Sequence, residues 1–452
     1  MKHIIYKSIV IASSVSLFLS CRPNLPIPAP SKGKIDASRY VAVGNSITSG
    51  YADGALYYDG QINSFPNLIA GQLKLIGGGS FNQPLMPMSS VGVGVNPAGT
   101  VTSKFVLGYS TDCLGVNSLM PVNFAPQGDI VSLATSVYAS QGPFNNMGVP
   151  GTKSFNVPQV GYGNLSLGLT NPTINPYFGR MASNQTTSSI LSDALAQNPT
   201  FFSMFIGNND VLAYAMGGGA SDSITSLSTF NTSILNVVNN LSANGAKGVI
   251  GNIPDITSLP FFTTIPWNGL ALTRQSQADS LNALFPGLSY NFHVGNNAFL
   301  IADPSVPYVG QRLIKEGELI LLSVPLNSIK CSGMGTMHPI PNKYVLTFDE
   351  ITNIETATMA FNQTIKEVAQ LKGLAFVDVQ AFLNKTKTGF TYDGITFNAA
   401  FVTGGAFSLD GIHLNPVGNA LLANEFIKSI NATHSSTIPQ VDVTKYRGVV
   451  FP

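Results

Sequence analysis

Residues 40–48 read Tyr-Val-Ala-Val-Gly-Asn-Ser-Ile-Thr, and this stretch decides the expected fold. The apolar run at residues 40–43 is typical of a buried parallel strand, and Gly44 and Asn45 then begin a turn. Ser46 therefore follows the carboxyl end of the strand, which is where open α/β sheets hold their ligands. We expect the hydroxyl of Ser46 to face a binding site.

Strands and helices alternate on either side of this stretch. Since strands that alternate with helices form a parallel sheet sandwiched between helices, we predict the α/β class. The predicted strands lie at 200–206, 247–253 and 374–379. The predicted helices lie at 64–76 with Ser64 as its cap and Gly77 as its stop, near 184–197, at 223–244, near 351–371 and near 416–430.

Two long stretches interrupt this alternation, at residues 78–140 and roughly 260–348. We interpret them as insertions that carry specificity, within a single domain at 38–432 that is followed by a tail at 433–452. Length alone would also allow two or three domains.

The composition narrows the class of protein. The chain has 452 residues, of which 44% are hydrophobic and only 10% are charged, as in a folded protein. The net charge is +1 and no dense Lys/Arg stripe occurs, so we expect no nucleic-acid partner. No CxxC or clustered His/Cys pattern occurs in the sequence, so we expect no metal site.

The first twenty residues have the pattern of an export signal. A basic start at Lys2 and Lys7 precedes an apolar stretch at 8–19, which is too short for a membrane span of about 20 residues. We therefore predict a signal peptide at residues 1–20.

Ser20-Cys21 resembles the cleavage site of bacterial lipoproteins, although Phe18 stands where Leu is usual. We expect a lipid on Cys21, a flexible Pro-rich tether up to residue 37, and a protein anchored to the membrane of the bacterial cell envelope. Ordinary secretory cleavage with a free Cys21 is the alternative. The sequence leaves open whether the protein faces the periplasm or the cell surface.

Removing Cys21 for the lipid leaves Cys113 and Cys331, an even number in an oxidising compartment. Both lie in the predicted insertions, so a disulfide between them would join the two. Two buried free thiols are equally compatible with the sequence.

A second polar segment, Asp410-Gly411-Ile412-His413, supplies what a serine nucleophile needs. A hydroxyl is a poor nucleophile until a base removes its proton, and an imidazole acts as that base when a third group fixes its tautomer. Asp410 and His413 are close enough in sequence to form that pair on one tight loop. Folding would have to bring them to Ser46.

Acyl transfer also needs hydrogen-bond donors for the negative charge that develops on the carbonyl oxygen. Residues 205–210 read Phe-Ile-Gly-Asn-Asn-Asp at the end of a predicted strand, so the side-chain amide of Asn209 is one candidate. Residues 145–151 read Asn-Asn-Met-Gly-Val-Pro-Gly, and the backbone N–H of Gly151 is the other.

In order and content, these four segments resemble the blocks of the SGNH hydrolase family, also called GDSL-like esterases and lipases. The resemblance covers residues 38–76, 145–156, 184–258 and 351–432, and Asn45 stands where the family commonly has Asp. It implies a flavodoxin-like three-layer α/β/α sandwich with a parallel sheet of about five strands. It implies these roles: nucleophile Ser46, base His413, its partner Asp410, and oxyanion donors Gly151 and Asn209.

The expected activity is hydrolysis of carboxylic esters through an acyl-enzyme, without a metal or organic cofactor. The substrate would be a small-molecule, glycan or lipid ester, and its acyl length and the oligomeric state are not readable from the sequence. Two alternatives stay open. One is a polysaccharide O-acyltransferase or deacetylase with the same residues, and the other is a surface binding protein without useful turnover.

Overall fold

The computed structural model describes residues 29–95, 100–288 and 290–452. The predicted signal peptide and Cys21 lie outside these ranges. Within them, no helix is long and apolar enough to cross a membrane.

Among the described residues, five parallel strands form the central sheet, in the order β2-β1-β3-β4-β5. The order reverses between β1 and β3, and a crevice opens for ligands at such a reversal. This confirms the predicted parallel sheet. The strands are β1 (Tyr40–Gly44), β2 (Asn146–Gly148), β3 (Phe201–Phe205), β4 (Lys247–Gly251) and β5 (Ala375–Val377).

Helices flank this sheet and bury its apolar side chains. The ring of Phe65 packs on Phe426 with 4.8 Å between centroids, and Phe230 stacks on Phe361 at 4.0 Å. The helices are α1 (Ser46–Ser49), α2 (Tyr58–Ile62), α3 (Phe65–Leu73), α4 (Ile130–Ala134), α5 (Tyr138–Gln141), α6 (Pro176–Met181), α7 (Ile190–Leu195), α8 (Asn209–Met216), α9 (Leu227–Leu241), α10 (Pro260–Thr263), α11 (Gln275–Leu284), α12 (Leu326–Cys331), α13 (Phe348–Lys372), α14 (Val379–Thr388) and α15 (Pro416–His434).

Two predicted helices need correction. The helix expected near 184–197 is only Ile190–Leu195, because Ser189 caps it and a turn occupies 184–188. Ser64 precedes α3, but its hydroxyl donates to Gln83 instead of capping the helix. The Phe65 N–H donates to the side chain of Asn419 in α15, so α3 is anchored by a distant residue.

The stretch at 78–140 contains small strand pairs and short helices. Its largest feature is a hairpin of Phe105–Thr111 and Asn117–Asn123, and Gly94–Val95 pairs with Val101–Thr102. Weak periodicity in the sequence reflects strands that are mostly half-exposed on both faces.

The stretch at 260–348 has apolar clusters of its own, one of them around Phe299, Ile301 and Ile340. Its strands pair as three short antiparallel ladders. They are Leu270–Leu272 with Gly295–Asn297, Leu300–Ala302 with Gln311–Leu313, and Leu319–Ile320 with Val345–Leu346. A disulfide joins Cys331, at the end of α12, to Cys113 in the hairpin turn of the other insertion.

The start of the described chain packs against the end of α15. The Lys34 N–H donates to the carbonyl of His434 at the end of α15, and Ile35 and Ala37 are buried. Residues 31–37, the last part of the predicted tether, therefore pack on the domain. One more hairpin, Phe390–Tyr392 with Ile395–Phe397, follows α14.

Candidate active site

Ser46 is the first residue of α1, directly after β1. Asn45 caps this helix, since its side-chain oxygen accepts a hydrogen bond from the Ile47 N–H at 3.2 Å. Asn45 thus supports the turn that carries Ser46. Ser46 is buried, with 7% of its surface exposed.

The structure brings the three predicted triad residues into one hydrogen-bonded chain. The Nε2 atom of His413 lies 2.8 Å from the Oγ atom of Ser46. The Nδ1 atom of His413 lies 2.9 Å from an oxygen of Asp410. This is the order that a proton needs to move from the hydroxyl to the imidazole while the carboxylate holds the ring.

Asp410 accepts further hydrogen bonds on both oxygens. The backbone N–H groups of Ile412 and His413 and the hydroxyl of Ser408 donate to one oxygen, and the Gly54 N–H donates to the other. Burial by itself raises the pKa of a carboxyl group, but the charge of His413 and these hydrogen bonds outweigh it. They hold the pKa of Asp410 well below its ordinary value, so it stays ionised.

The loop that carries Asp410 and His413 is closed by its own backbone. The Ser408 N–H donates to the carbonyl of His413, and Gly411 adopts a φ of 72° between them. A Cβ atom at Gly411 would lie 2.9 Å from the backbone nitrogen of Phe261, which itself donates to the carbonyl of Gly411. Only glycine fits this turn.

Asn209 opens α8 at the end of β3, the strand beside β1. Its Nδ2 atom donates one hydrogen to the carbonyl of Thr152 at 2.9 Å. An amide nitrogen carries two hydrogens, so the second is available to a ligand. Asn209, Ser46 and His413 line the same pocket.

Gly151 lies on the exposed loop after β2 with a φ of 78°, which favours glycine. The preceding residues tie this loop to β1, because the Val149 N–H donates to the carbonyl of Gly44 at 3.0 Å. Within the described ranges, neither the Gly151 N–H nor the Ser46 N–H donates to another residue. Ser46 lines the pocket that also contains Asn209 and His413, whereas Gly151 is not among the residues that line it.

A buried carboxylate locks the two predicted oxyanion segments together. Asp210 accepts from the backbone N–H and the hydroxyl of Ser154, at 2.8 and 2.7 Å. Burial raises the pKa of Asp210, and the hydrogen bonds from Ser154 oppose that rise. Asp210 thus fixes the loop of Gly151 against α8.

Apart from Asn45 and Asn208, the rest of the pocket is apolar. It extends from Ser46 along the carboxyl edge of the sheet past β4 and β5. Its apolar lining residues are Ile47, Phe205, Leu212, Pro254, Ile256, Leu259, Val379, Leu383, Ile412, Leu414 and Leu422. The cavity itself measures about 20 Å³, the space of one or two water molecules.

Sequence reasoning missed several residues of the site. The ring of Tyr51 packs on the imidazole of His413 with 4.8 Å between centroids, and its hydroxyl donates to the carbonyl of Gly54. Asp53, Gly54 and Ser408 surround Asp410. The one signal available was the turn-forming pair Asp53-Gly54 so soon after Ser46.

No group of three metal-ligating side chains occurs among the described residues. The carboxyl group of Asp410 and the imidazole of His413 are hydrogen-bonded to each other.

Comparison with known proteins gives a family match and distant structural similarities. The family described as GDSL-like Lipase/Acylhydrolase matches residues 40–426. No curated protein matches the sequence.

Three solved structures illustrate the structural similarities. An alpha/beta hydrolase from the metagenome of Lake Arreo, Spain, is 10% identical with a TM-score of 0.35, over 88% of this chain and 97% of that one. A variant of an acetylxylan esterase from Geobacillus stearothermophilus is 11% identical with a TM-score of 0.35, over 88% and 96%. A lipase/acylhydrolase from Enterococcus faecalis is 12% identical with a TM-score of 0.27, over 69% and 88%.

Proposed function

This chain belongs to the GDSL-like lipase/acylhydrolase family, and from that membership and the geometry of its site we propose that it hydrolyses carboxylic esters with Ser46 as nucleophile. The observation that carries the proposal is the 2.8 Å contact between the Ser46 hydroxyl and the His413 imidazole. Asp410 completes the chain behind the imidazole.

In the first half of the reaction, the Ser46 oxygen attacks the carbonyl carbon of the ester. Its proton passes to Nε2 of His413, while Asp410 accepts the hydrogen bond from Nδ1 and stabilises the positive ring. The tetrahedral intermediate then expels the alcohol, which takes the proton from His413. The acyl group remains on Ser46 as an ester.

In the second half, a water molecule attacks the acyl-enzyme and gives one proton to His413. The carboxylic acid leaves and Ser46 recovers its hydrogen from the imidazole. In both halves, the negative oxygen of the intermediate receives hydrogen bonds from the N–H groups of Ser46 and Gly151 and from the side chain of Asn209.

The test is hydrolysis of a short-chain aryl ester by the wild-type protein and by a Ser46→Ala variant. We expect turnover to vanish in the variant while its circular dichroism spectrum and melting temperature stay unchanged. Ser49→Ala is the matched control, because its hydroxyl lies one helical turn away and donates only to the carbonyl of Ser46. Ester hydrolysis that survives in Ser46→Ala would refute the assignment.

We also propose that the protein is exported and anchored to the cell envelope through a lipid on Cys21, on the strength of the signal pattern before it. Metabolic labelling with a fatty acid should mark the wild-type chain and leave Cys21→Ser unmarked. Equal labelling of the wild-type protein and Cys21→Ser, or no labelling of either protein, would reject the proposed lipid anchor.

A further inference from the structure

Asp53 occupies a strained position on the turn between α1 and α2. Its φ is 52°, in the left-handed region that residues other than glycine rarely adopt, and Gly54 follows at 73°. Such a conformation is unfavourable and persists only where surrounding contacts enforce it. Here the contacts are with the loop that carries Asp410.

Three hydrogen bonds run from this turn to that loop. The Asp53 N–H donates to the hydroxyl of Ser408 at 3.0 Å, and the Gly54 N–H donates to Asp410 at 2.9 Å. In the opposite direction, the Leu409 N–H donates to a carboxyl oxygen of Asp53 at 2.9 Å. The turn is therefore hydrogen-bonded to three consecutive residues of the loop, Ser408, Leu409 and Asp410.

The contact with Asp53 also orients the hydroxyl hydrogen of Ser408. A hydroxyl has a single hydrogen, and the Asp53 N–H occupies its oxygen as an acceptor. The hydrogen is therefore free to point to Asp410, whose oxygen lies 3.0 Å away. Ser408 is fully buried, so water does not compete for it.

The Asp53 side chain is itself held on its second oxygen. The hydroxyl of Tyr57 donates to that oxygen at 2.6 Å. Burial raises the pKa of Asp53, and the hydrogen bonds from Tyr57 and Leu409 oppose the rise. With both oxygens engaged, the carboxyl group cannot rotate away from the loop.

We propose that Asp53 is a positioning residue: through Ser408 and Leu409 it fixes the carboxyl group of Asp410 against the imidazole of His413. The inference rests on the proposed ester hydrolysis and deepens it. Asp53 touches neither the substrate nor the reacting atoms. Its effect is to keep Asp410 and His413 within the narrow range of distances and angles that proton transfer needs.

The control for a merely structural role is Asp193 in α7, which is also buried. Its carboxyl group accepts from the backbone N–H of Ser183 and from the hydroxyls of Ser183 and Ser188, so it holds a loop in the same manner. None of these residues lines the pocket of Ser46. Asp193→Ala should therefore lower the melting temperature without changing kcat.

The experiment compares Asp53→Ala, Asp53→Asn and Asp193→Ala with the wild-type protein on a soluble aryl ester. We expect Asp53→Ala to lower kcat by about 10- to 100-fold with KM unchanged within about twofold, since misplacing a reacting group by about 1 Å has that effect. Asp53→Asn keeps an oxygen for the Leu409 N–H and should recover most of kcat. A kcat of Asp53→Ala within twofold of wild type, or an Asp53→Asn variant as impaired as Asp53→Ala, would overturn the proposal.

A second readout needs no turnover. The hydrogen on Nδ1 of His413 should give a low-field proton NMR resonance, assigned by its loss in a His413→Gln variant. Positioning predicts that this resonance is broadened or lost in Asp53→Ala and kept in Asp53→Asn and Asp193→Ala. If it is unchanged in Asp53→Ala, Asp53 does not position the pair. A wild-type protein inactive on all esters would instead refute the proposed function, and the resonance would still decide the role of Asp53.

Discussion

Asp410 is the residue on which the geometry of the site depends most. It receives hydrogen bonds from three backbone N–H groups, one hydroxyl and one imidazole, which leaves its carboxylate no freedom to turn. Groups that favour the charged form surround it, so its pKa is lowered even though it is buried. The same hydrogen bonds therefore fix the orientation of the Asp410 carboxylate and keep it ionised.

Replacing Asp410 with Asn should impair catalysis. An amide cannot accept from every one of these donors, and it favours the wrong tautomer of His413, so we expect kcat to fall by about 10³- to 10⁴-fold. Steady-state kinetics on an aryl ester measure this loss. A fall of less than about tenfold would show that the carboxylate does not orient the base.

The same variant tests the pH dependence of stability. The pKa of Asp410 is lower in the folded protein than in the unfolded chain, where it is about 3.9. Its contribution to the free energy of unfolding is thus complete well above pH 4 and is lost as the pH falls through the folded pKa. In urea unfolding, the stability difference between wild type and Asp410→Asn should be constant above about pH 5 and shrink below about pH 4. A difference that grows with acidity would contradict the lowered pKa.

The next prediction concerns the oxyanion donors. Removing the amide in Asn209→Ala should lower kcat by about 10²- to 10³-fold, the usual loss for one such donor. Asn424→Ala is the matched control, because Asn424 is a fully buried amide that donates to the carbonyl of Val441 in another part of the fold. That variant should lose stability and keep kcat. Equal kcat losses in both variants would mean that Asn209 acts through stability alone.

From the sequence we predicted that Ser46, Asp410 and His413 lie together, and the structure brings them into hydrogen-bond contact. Each lies in a short block with a recognisable local pattern, as do Gly151 and Asn209, and the reactive and donor roles of these five residues stay predictions. Tyr51, Asp53 and Ser408 could not be found that way. Their importance comes from contacts across more than 350 positions of the chain, such as the Asp53 N–H to the Ser408 hydroxyl. Local patterns do not encode such contacts.

Two junctions between a strand and a helix carry residues of the candidate site. Ser46 starts α1 after β1, and Asn209 starts α8 after β3. Between β3 and α8 lies Gly207 with a φ of 116°, and a Cβ atom there would come within 2.9 Å of Ile253 and 3.0 Å of Phe230. The chain can turn toward the site because this position has no side chain.

We therefore predict that Gly207→Ala lowers the free energy of unfolding by about 3 kcal/mol, through backbone strain and crowding together. It should also lower kcat, since Asn209 lies only two residues further. Gly245→Ala is the control, because Gly245 also has a positive φ but no atom within 4 Å of the added methyl group. We expect Gly245→Ala to lower the free energy of unfolding by about 1 kcal/mol and to leave kcat unchanged. Similar losses in both variants would argue against crowding at Gly207.

Long elements were predicted from the sequence more accurately than short ones. The helical periodicity at 223–244 matches α9 closely, and the helix predicted near 351–371 becomes α13 with a capping box from Thr347 and Glu350. The strand pairs of the insertions were not predicted. Most are two or three residues long, too short for a period of two to appear, and tertiary contacts determine them.

In the whole molecule, each of the two insertions donates a backbone hydrogen bond beside the candidate site, one to the turn of Asp53 and one to the loop of Asp410 and His413. The Phe105 N–H donates to the carbonyl of Asp53 at 2.7 Å, and the Phe261 N–H donates to the carbonyl of Gly411 at 2.9 Å. The disulfide of Cys113 with Cys331 then joins the insertions over a sequence separation of 218 residues. An ion pair of Asp112 with Lys330 lies beside it.

Closing so long a loop restricts the unfolded chain strongly. We predict that the double variant Cys113→Ser, Cys331→Ser loses up to about 5 kcal/mol of stability on the chain-entropy account. Thermal unfolding with and without a thiol-free reductant measures the effect. The reductant should lower the melting temperature of the wild-type protein and leave the double variant unchanged. A wild-type melting temperature that does not respond to complete reduction would contradict a stabilising role for the bridge.

We propose that folding makes Ser46 a nucleophile by placing its hydroxyl 2.8 Å from the imidazole of His413. Covalent labelling with an organophosphonate, followed by mass spectrometry of the digested protein, measures that reactivity. We predict a single adduct on Ser46 in the folded wild-type protein and no adduct at that residue in His413→Gln or after unfolding in urea. An unmodified Ser46 in the folded wild-type protein, or labelling that is as fast without His413, would contradict the claim.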